Sequence, residues 1–317
     1  MIMSPMNPAA TLEGVTRLTH LGVIRASGEE AQKFLHGQLT NDMLGLDPTR
    51  ARLAGFCSAK GRLQASFVLW KAAEGEVLMV CAASVLAATL KRLSMFVLRS
   101  RCKLVDASAE LPVYGIAGPF AAQLAPHASD WQRSVVDGAS VVALPPVHGI
   151  ARCLSAGPNP PPSAPDGGLS EEGWRWLEVQ SGVPLIEAAT VDRFVPQMLN
   201  YELIGGVDFQ KGCYPGQEIV ARSQYRGTIK RRMALFDIDG AAQPGDEIFH
   251  SADPGQPAGM VVNAAPRPDA ASASSALVEV KLAALEHGSL HLAGADGAVL
   301  RRHALPYDVP LEAATAP

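Results

Sequence analysis

No stretch of this 317-residue chain approaches the ~20 consecutive apolar residues that a membrane helix needs, which argues against a helical span. Cysteine is scarce and scattered. Cys57, Cys81, Cys102, Cys153 and Cys213 make an odd set with no C-x-x-C pair. A disulfide framework or zinc ribbon is therefore not expected, and a reducing, cytoplasmic compartment fits. Positive charge has no excess either: 27 Lys and Arg stand against 31 Asp and Glu, a net charge of -4. The chain as a whole is not built to coat nucleic acid. Met1 to Ala10 has neither a basic segment leading into an apolar one nor an arginine-rich amphipathic pattern. It is expected to be a short disordered lead-in without a secretory or mitochondrial address.

What is present is ample apolar material, 48% of residues, spread over a length that suits two or three domains. An apolar strand at 21–26 runs into Ser27-Gly28-Glu29-Glu30, a capping-box pattern for a helix that buries Ala31, Phe34 and Leu35 and stops near Gly37. Residues 51–106 read as strand, strand, strand, helix, strand, with Lys60-Gly61 and Glu74-Gly75 as turns. A strand at 113–118 precedes a helix after Pro119. The Pro/Gly/Ser-rich stretch 155–168 is a connector. Ser170 caps a helix carrying Trp174, Leu177 and Ser181 along one side. From Met233 onward, short strands at 233–239, 258–263 and 276–281 alternate with turn residues, which predicts a small β-barrel. The polar run Pro266 to Ser275 is expected to be a loop.

Chemistry concentrates between Gly205 and Arg232. Gly205-Gly206 and Gly212 bracket a strand-like Val207–Phe209, and Pro215-Gly216 follow Cys213, so the thiol sits on a tight glycine-rich loop. Lys211, Arg222, Arg226, Lys230, Arg231 and Arg232 face a single acid, Glu218, in the span from Lys211 to Arg232. A thiol beside Lys211 should have its thiolate favoured, so Cys213 can be a nucleophile, a redox thiol or a transient metal ligand. The basic run is either a solvated strand edge or an anion site. The other four cysteines read as small buried hydrophobes.

Lys211-Gly212-Cys213-Tyr214-Pro215-Gly216-Gln217-Glu218, continuing through Ile219-Val220-Ala221-Arg222 to Tyr225-Arg226-Gly227 and Lys230-Arg231, resembles the signature of YgfZ-type proteins. Phe34-Leu35-His36-Gly37-Gln38-Leu39-Thr40-Asn41-Asp42, the Lys60-Gly61-Arg62 turn and Pro196 match as well, so the likeness runs from about Leu12 to Tyr307. The resemblance implies an α+β fold similar to the glycine cleavage T-protein (aminomethyltransferase), with three domains in a ring and tetrahydrofolate in a central cavity. On that basis residues 12–51 plus 113–232 form a discontinuous folate-binding domain, 52–112 an inserted α+β domain and 233–317 a C-terminal β-barrel.

The resemblance further implies an accessory role in assembling or repairing iron–sulfur clusters in enzymes such as tRNA methylthiotransferases. The expected partners are folate, iron–sulfur enzymes and assembly proteins, with no direct nucleic acid and no membrane. Cys213 with Lys211 as its activator would be the working pair, and Trp174, Leu21 and Gln180 the folate contacts. A transient cluster at Cys213 would need ligands from elsewhere, since one thiolate is too few. Two departures shape the expectation. No acid follows Gly61 through Ser66, where aminomethyltransferases carry one, so glycine cleavage is not expected. Gln180 stands where the wider family has a glutamate, and its amide accepts without the charge. The competing readings are a tetrahydrofolate-dependent one-carbon transferase, a cysteine-nucleophile enzyme with a base brought in by the fold, and a nucleic-acid binder.

Overall fold

The computed structural model describes residues 12–161, 168–226 and 229–310. Met1 to Ala10, the middle of the 155–168 connector and Gly227 lie outside them. In chain order the elements are β1 (Gly14–Arg17), β2 (Leu21–Ser27), α1 (Ala31–His36), β3 (Arg52–Cys57), β4 (Leu63–Ala73), β5 (Glu76–Ala82), α2 (Ala83–Val97), β6 (Lys103–Asp106), β7 (Val113–Ala117) and α3 (Pro119–Leu124). There follow β8 (Arg133–Val136), β9 (Ala139–Val147), β10 (Ile150–Ala156), α4 (Glu171–Gln180), α5 (Gln217–Tyr225), β11 (Arg231–Ile238), β12 (Glu247–His250), β13 (Asp253–Arg267), β14 (Ala270–Lys281), β15 (Leu290–Leu292) and β16 (Leu300–His303).

These make three antiparallel sheets, ordered β1-β7-β10-β9-β8, β3-β4-β5-β2-β6 and β15-β12-β13-β14-β11-β16. The fold is α+β. Strand β2 pairs with β5 and β6, so residues 21–27 lie in the sheet of the 52–106 stretch and not beside β1. The last sheet curls towards closure, because the segment from β15 to β16 joins its two edges through a His291–Val299 bridge.

Helix α4 joins the sheets. Ser170 accepts a hydrogen bond from the Gly173 N–H and caps it. Its Trp174 and Leu177 enter the core of the first sheet, while the Trp176 N–H donates to Ser275 Oγ on β14 at 3.1 Å. Trp174 needs Gly115 beneath it: a Cβ there would fall 2.4 Å from the indole.

Three local expectations are corrected. The Ser27/Glu30 capping box does not form; Glu30 is itself the N-cap of α1, and its carboxylate accepts from the Arg101 N–H instead. Val207–Phe209 is not a strand. Pro266 to Ser275 is not a loop but the two arms of the β13–β14 hairpin, with Ser274 and Ser275 buried. The small Ala276 and Ser274 stand opposite Phe236 and Ile238 of β11, which supply the bulk.

Candidate functional site

Two places hold the chemistry. The first is the Cys213 loop. Its shape comes from Gly216, the N-cap of α5, at φ +79°. A Cβ at 216 would fall 2.3 Å from the Ser58 carbonyl and 2.6 Å from the Gly61 nitrogen. Gly61, at φ +68°, would in turn strike Ile219 on α5. The loop and the β3–β4 turn therefore meet backbone to backbone, and only glycine permits that approach. Cys213 is exposed on this seat, whereas Cys57, Cys81 and Cys153 are buried. Burial pushes those three thiols up, to about 12, 12 and 11.

Lys211 is fixed in place by the fold. Its ammonium donates to the His36 carbonyl and, at 2.9 Å, to the Leu39 carbonyl, and lies 4.7 Å from the Tyr214 ring. Burial brings its pKa down to about 8 against the pull of Asp208, Asp42 and Cys213. The expected activator is also a buried clamp on the end of α1. Tyr214 is buried behind it. Gln217 is half-buried, while Gly212, Glu218 and Arg222 are exposed. The fold also brings a histidine to the loop: a Cβ on Gly212 would lie 3.3 Å from His36 Nε2, and His36 Nδ1 is 3.0 Å from Asp42 Oδ1. Both residues belong to the 34–42 motif.

The dense basic run is partly spent. Arg232 pairs with the buried Glu202, and Arg231 with Glu279 at 3.1 Å. Arg222, Arg226 and Lys230 remain exposed.

The second place is a cavity of about 80 Å³ between the first two sheets. Leu21, Leu53, Phe67, Val68 and Trp131 give it apolar walls, and Arg152, Glu178 and Ser181 supply polar groups. Leu21 thus lines it as apolar contact. Trp174 does not reach it: the ring is fully buried behind the wall, with its N–H donating to Glu178 Oε1 at 2.9 Å. Gln180 does not reach it either. It faces a separate groove with Trp176 and bonds His148 Nε2 at 3.0 Å. On a helix, residue 178 falls on the face of 174 and 181, while 180 falls with 176.

Glu178 is the group the sequence reading missed. It is enclosed by protein, yet 27% of its side chain opens onto the cavity and a narrow cleft behind it. Its Oε2 lies 2.9 Å from His20 Nε2, and His20 Nδ1 lies 2.8 Å from Glu171 Oε1. Burial alone would lower the pKa of His20, but Glu178 and Glu171 together raise it. Burial alone would raise that of Glu178, but His20, the Trp174 N–H and Arg152 hold it low. Arg152, buried to 3% exposure, donates to the Leu177 and Pro145 carbonyls. Its pKa falls to about 10, so it stays charged. Among the described residues no cluster of His, Cys, Asp or Glu is placed to hold a metal ion, and no helix is long and apolar enough to cross a membrane.

The fold is that of an aminomethyltransferase. The GCVT N-terminal domain family matches residues 9–138. The glycine cleavage aminomethyltransferase T of Bartonella henselae superposes with a TM-score of 0.73 over 96% of this chain and 90% of its own, at 16% identity, a likeness of fold. The narrower assignment comes from sequence. The tRNA-modifying protein YgfZ of Edwardsiella ictaluri is 32% identical over 232 residues, 69% of each chain. That of Colwellia psychrerythraea is 31% identical over 236 residues, 70% of each. The chain belongs to the YgfZ family.

Proposed function

We propose that the chain is a folate-binding accessory protein that supports assembly or repair of iron–sulfur clusters in enzymes such as tRNA methylthiotransferases. The observation that carries this reading is the pairing of an exposed Cys213 on a locked loop with a cavity that presents one buried carboxylate among apolar walls. The relatives' name, tRNA-modifying protein, supports the tRNA link.

The cavity residues fit a reduced pterin. Both Glu178 oxygens already accept one hydrogen bond and keep lone pairs for the N–H edge of such a ring. The apolar walls suit its faces. The volume is below the roughly 150 Å³ that admits a benzene ring, so a bicyclic ring enters only if the walls part or it projects from the open side. Glu178 and Leu21 would hold it, with Arg152 setting the field. Bound folate would supply an acceptor nitrogen for a one-carbon unit. The three-domain ring belongs to the same proposal, and so does the domain division with β2 assigned to the sheet of the 52–112 unit.

A one-carbon transferase is the second reading. It is disfavoured because β4 carries no acid anywhere along Leu63–Ala73, and Glu178 is engaged by His20 and Trp174. Thiol and cavity are tested separately. Tetrahydrofolate titrated into the Glu178→Gln protein should bind at least tenfold more weakly, and equal affinity would move the folate site elsewhere. A strain lacking the gene should lose methylthiolated tRNA and iron–sulfur enzyme activity. Cys213→Ser should fail to restore them. Full rescue would show the thiol to be dispensable. Ammonia release from an aminomethyl-lipoyl donor would favour the transferase.

A further inference from the structure

The last turn of α2 presents apolar side chains to solvent. Met95, Phe96 and Leu98 are 67%, 43% and 88% exposed, while Leu93 is fully buried and anchors the helix. Isolated apolar side chains on a surface are ordinary, but three within four residues form a patch. Leu98 adds backbone strain, with φ at +39°, a region that a residue of its bulk avoids. Neither the strain nor the exposure stabilises the isolated chain.

The geometry is held from the following turn. The Arg101 N–H donates to Glu30 Oε2 at 2.8 Å, and its guanidinium lies 2.7 Å from Glu29. Gly28 packs so tightly here that a Cβ would fall 2.2 Å from the Arg101 carbonyl. The knob is therefore set in place and not a frayed helix end. Its rim carries the bases Lys91, Arg92, Arg99, Arg101 and Lys103 with no acid between 91 and 103, and the carboxylates that face it, Glu29 and Glu30, pair with Arg101, so the charge left over is positive on a chain whose net charge is -4. Of these five, Arg101 alone has an ion pair among the described residues.

We infer that this knob docks an acidic segment of a partner protein, whose apolar side chains cover Met95, Phe96 and Leu98 while its carboxylates meet Arg92 and Arg99. Met, aromatic and Arg side chains are those enriched at protein interfaces. A bilayer would need an apolar face running along the helix. The exposed residues of α2 before this turn are small or charged: Ala83, Ser84, Ala87, Ala88, Lys91 and Arg92. Nucleic acid would match the bases but leave Met95 and Leu98 without a counterpart.

The knob also lies near the thiol. Glu30, beside Leu98, opens α1, and His36 closes it against Gly212. Six helical residues span about 9 Å. A docked partner thus comes within one short helix of the Cys213 loop. Only this last relation rests on the accessory-protein reading; the docking itself does not.

The test places p-benzoylphenylalanine at position 95 of the full chain in cells and sequences what is cross-linked. A protein segment rich in Asp or Glu and in apolar residues is expected, and the cross-link should vanish in Arg92→Glu/Arg99→Glu. A synthetic peptide of that segment, followed by fluorescence anisotropy, should bind the Leu98→Gly protein at least tenfold more weakly. The melting temperature of Leu98→Gly should be unchanged or higher, because glycine relieves the positive φ. Cross-links only to nucleic acid, lipid or a basic segment, no cross-link, or undiminished peptide affinity in Leu98→Gly would each overturn the inference. If Cys213→Ser rescues while the peptide binds as expected, the accessory reading fails and the docking surface stands.

Discussion

The Cys213 loop and the Glu178 cavity are built in opposite ways. The loop is a piece of contiguous sequence held by backbone contacts, and it offers its reactive atom to solvent. The cavity is a meeting of side chains from β2, β3, β4, β10 and α4, and it hides its charge. A site of the first kind depends on conformation, one of the second on packing and hydrogen bonding. The two should therefore fail differently.

Trp174→Ala should give the largest effect. It empties a fully buried indole site beside Gly115 and removes a donor from Glu178. A loss of about 3–5 kcal/mol is expected in urea unfolding, with folate affinity falling as a consequence. A stable Trp174→Ala protein that has lost folate binding alone would place the ring in the site after all. Gly216→Ala should cost about 2–4 kcal/mol, from the positive φ and the clash with Ser58 and Gly61. Cys213 should become mobile while cavity binding persists. Equal damage to both functions would mean that the two regions are one mechanical unit.

The electrostatic arm is smaller. His20 has a raised pKa, so its contribution to stability is complete below its unfolded value of about 6.5 and is lost as pH rises through the folded value. Glu171 and Glu178 have lowered values, so theirs is present above about 4.5 and lost as pH falls through the folded ones. The network contributes most between those limits. His20→Asn should flatten the fall in urea midpoint as pH rises above about 6.5, and an unchanged slope would remove His20 as its source. The smallest stability effect is expected for Cys213→Ser, within about 1 kcal/mol. Iodoacetamide should label Cys213 before Cys57, Cys81 and Cys153 in the native chain. A destabilised Cys213→Ser would instead point to packing.

The same contrast explains what could be read in advance. The order of strands and helices from 51 to 125 followed from periodicity and turn residues, and so did the loop, because its glycines and cysteine are neighbours in the chain. The cavity did not follow. Gln180 stands where the wider family has a glutamate, but helical rotation turns it away from the cavity and brings Glu178 round. Arg152 and Glu178 have no partners nearby in sequence that would mark them as a charged pair of walls. The charge count from Lys211 to Arg232 was right as arithmetic and misleading as a field. Glu202 and Glu279, which neutralise Arg232 and Arg231, come from other segments. Lys211 is near Cys213 in sequence, but that its ammonium also clamps the end of α1 could not be read there, because its acceptors come from 172 and 175 residues upstream.

Surface hairpin turns are usually where a chain gains and loses residues over time with little consequence. The turn joining β3 to β4 has no such latitude. Its Ser58 carbonyl and Gly61 nitrogen are the floor on which Gly216 rests. One residue more or fewer between 58 and 61 would shift that floor, and the thiol loop more than 150 residues later would lose its footing. The length of this exposed turn is thus fixed as firmly as the identity of a core side chain.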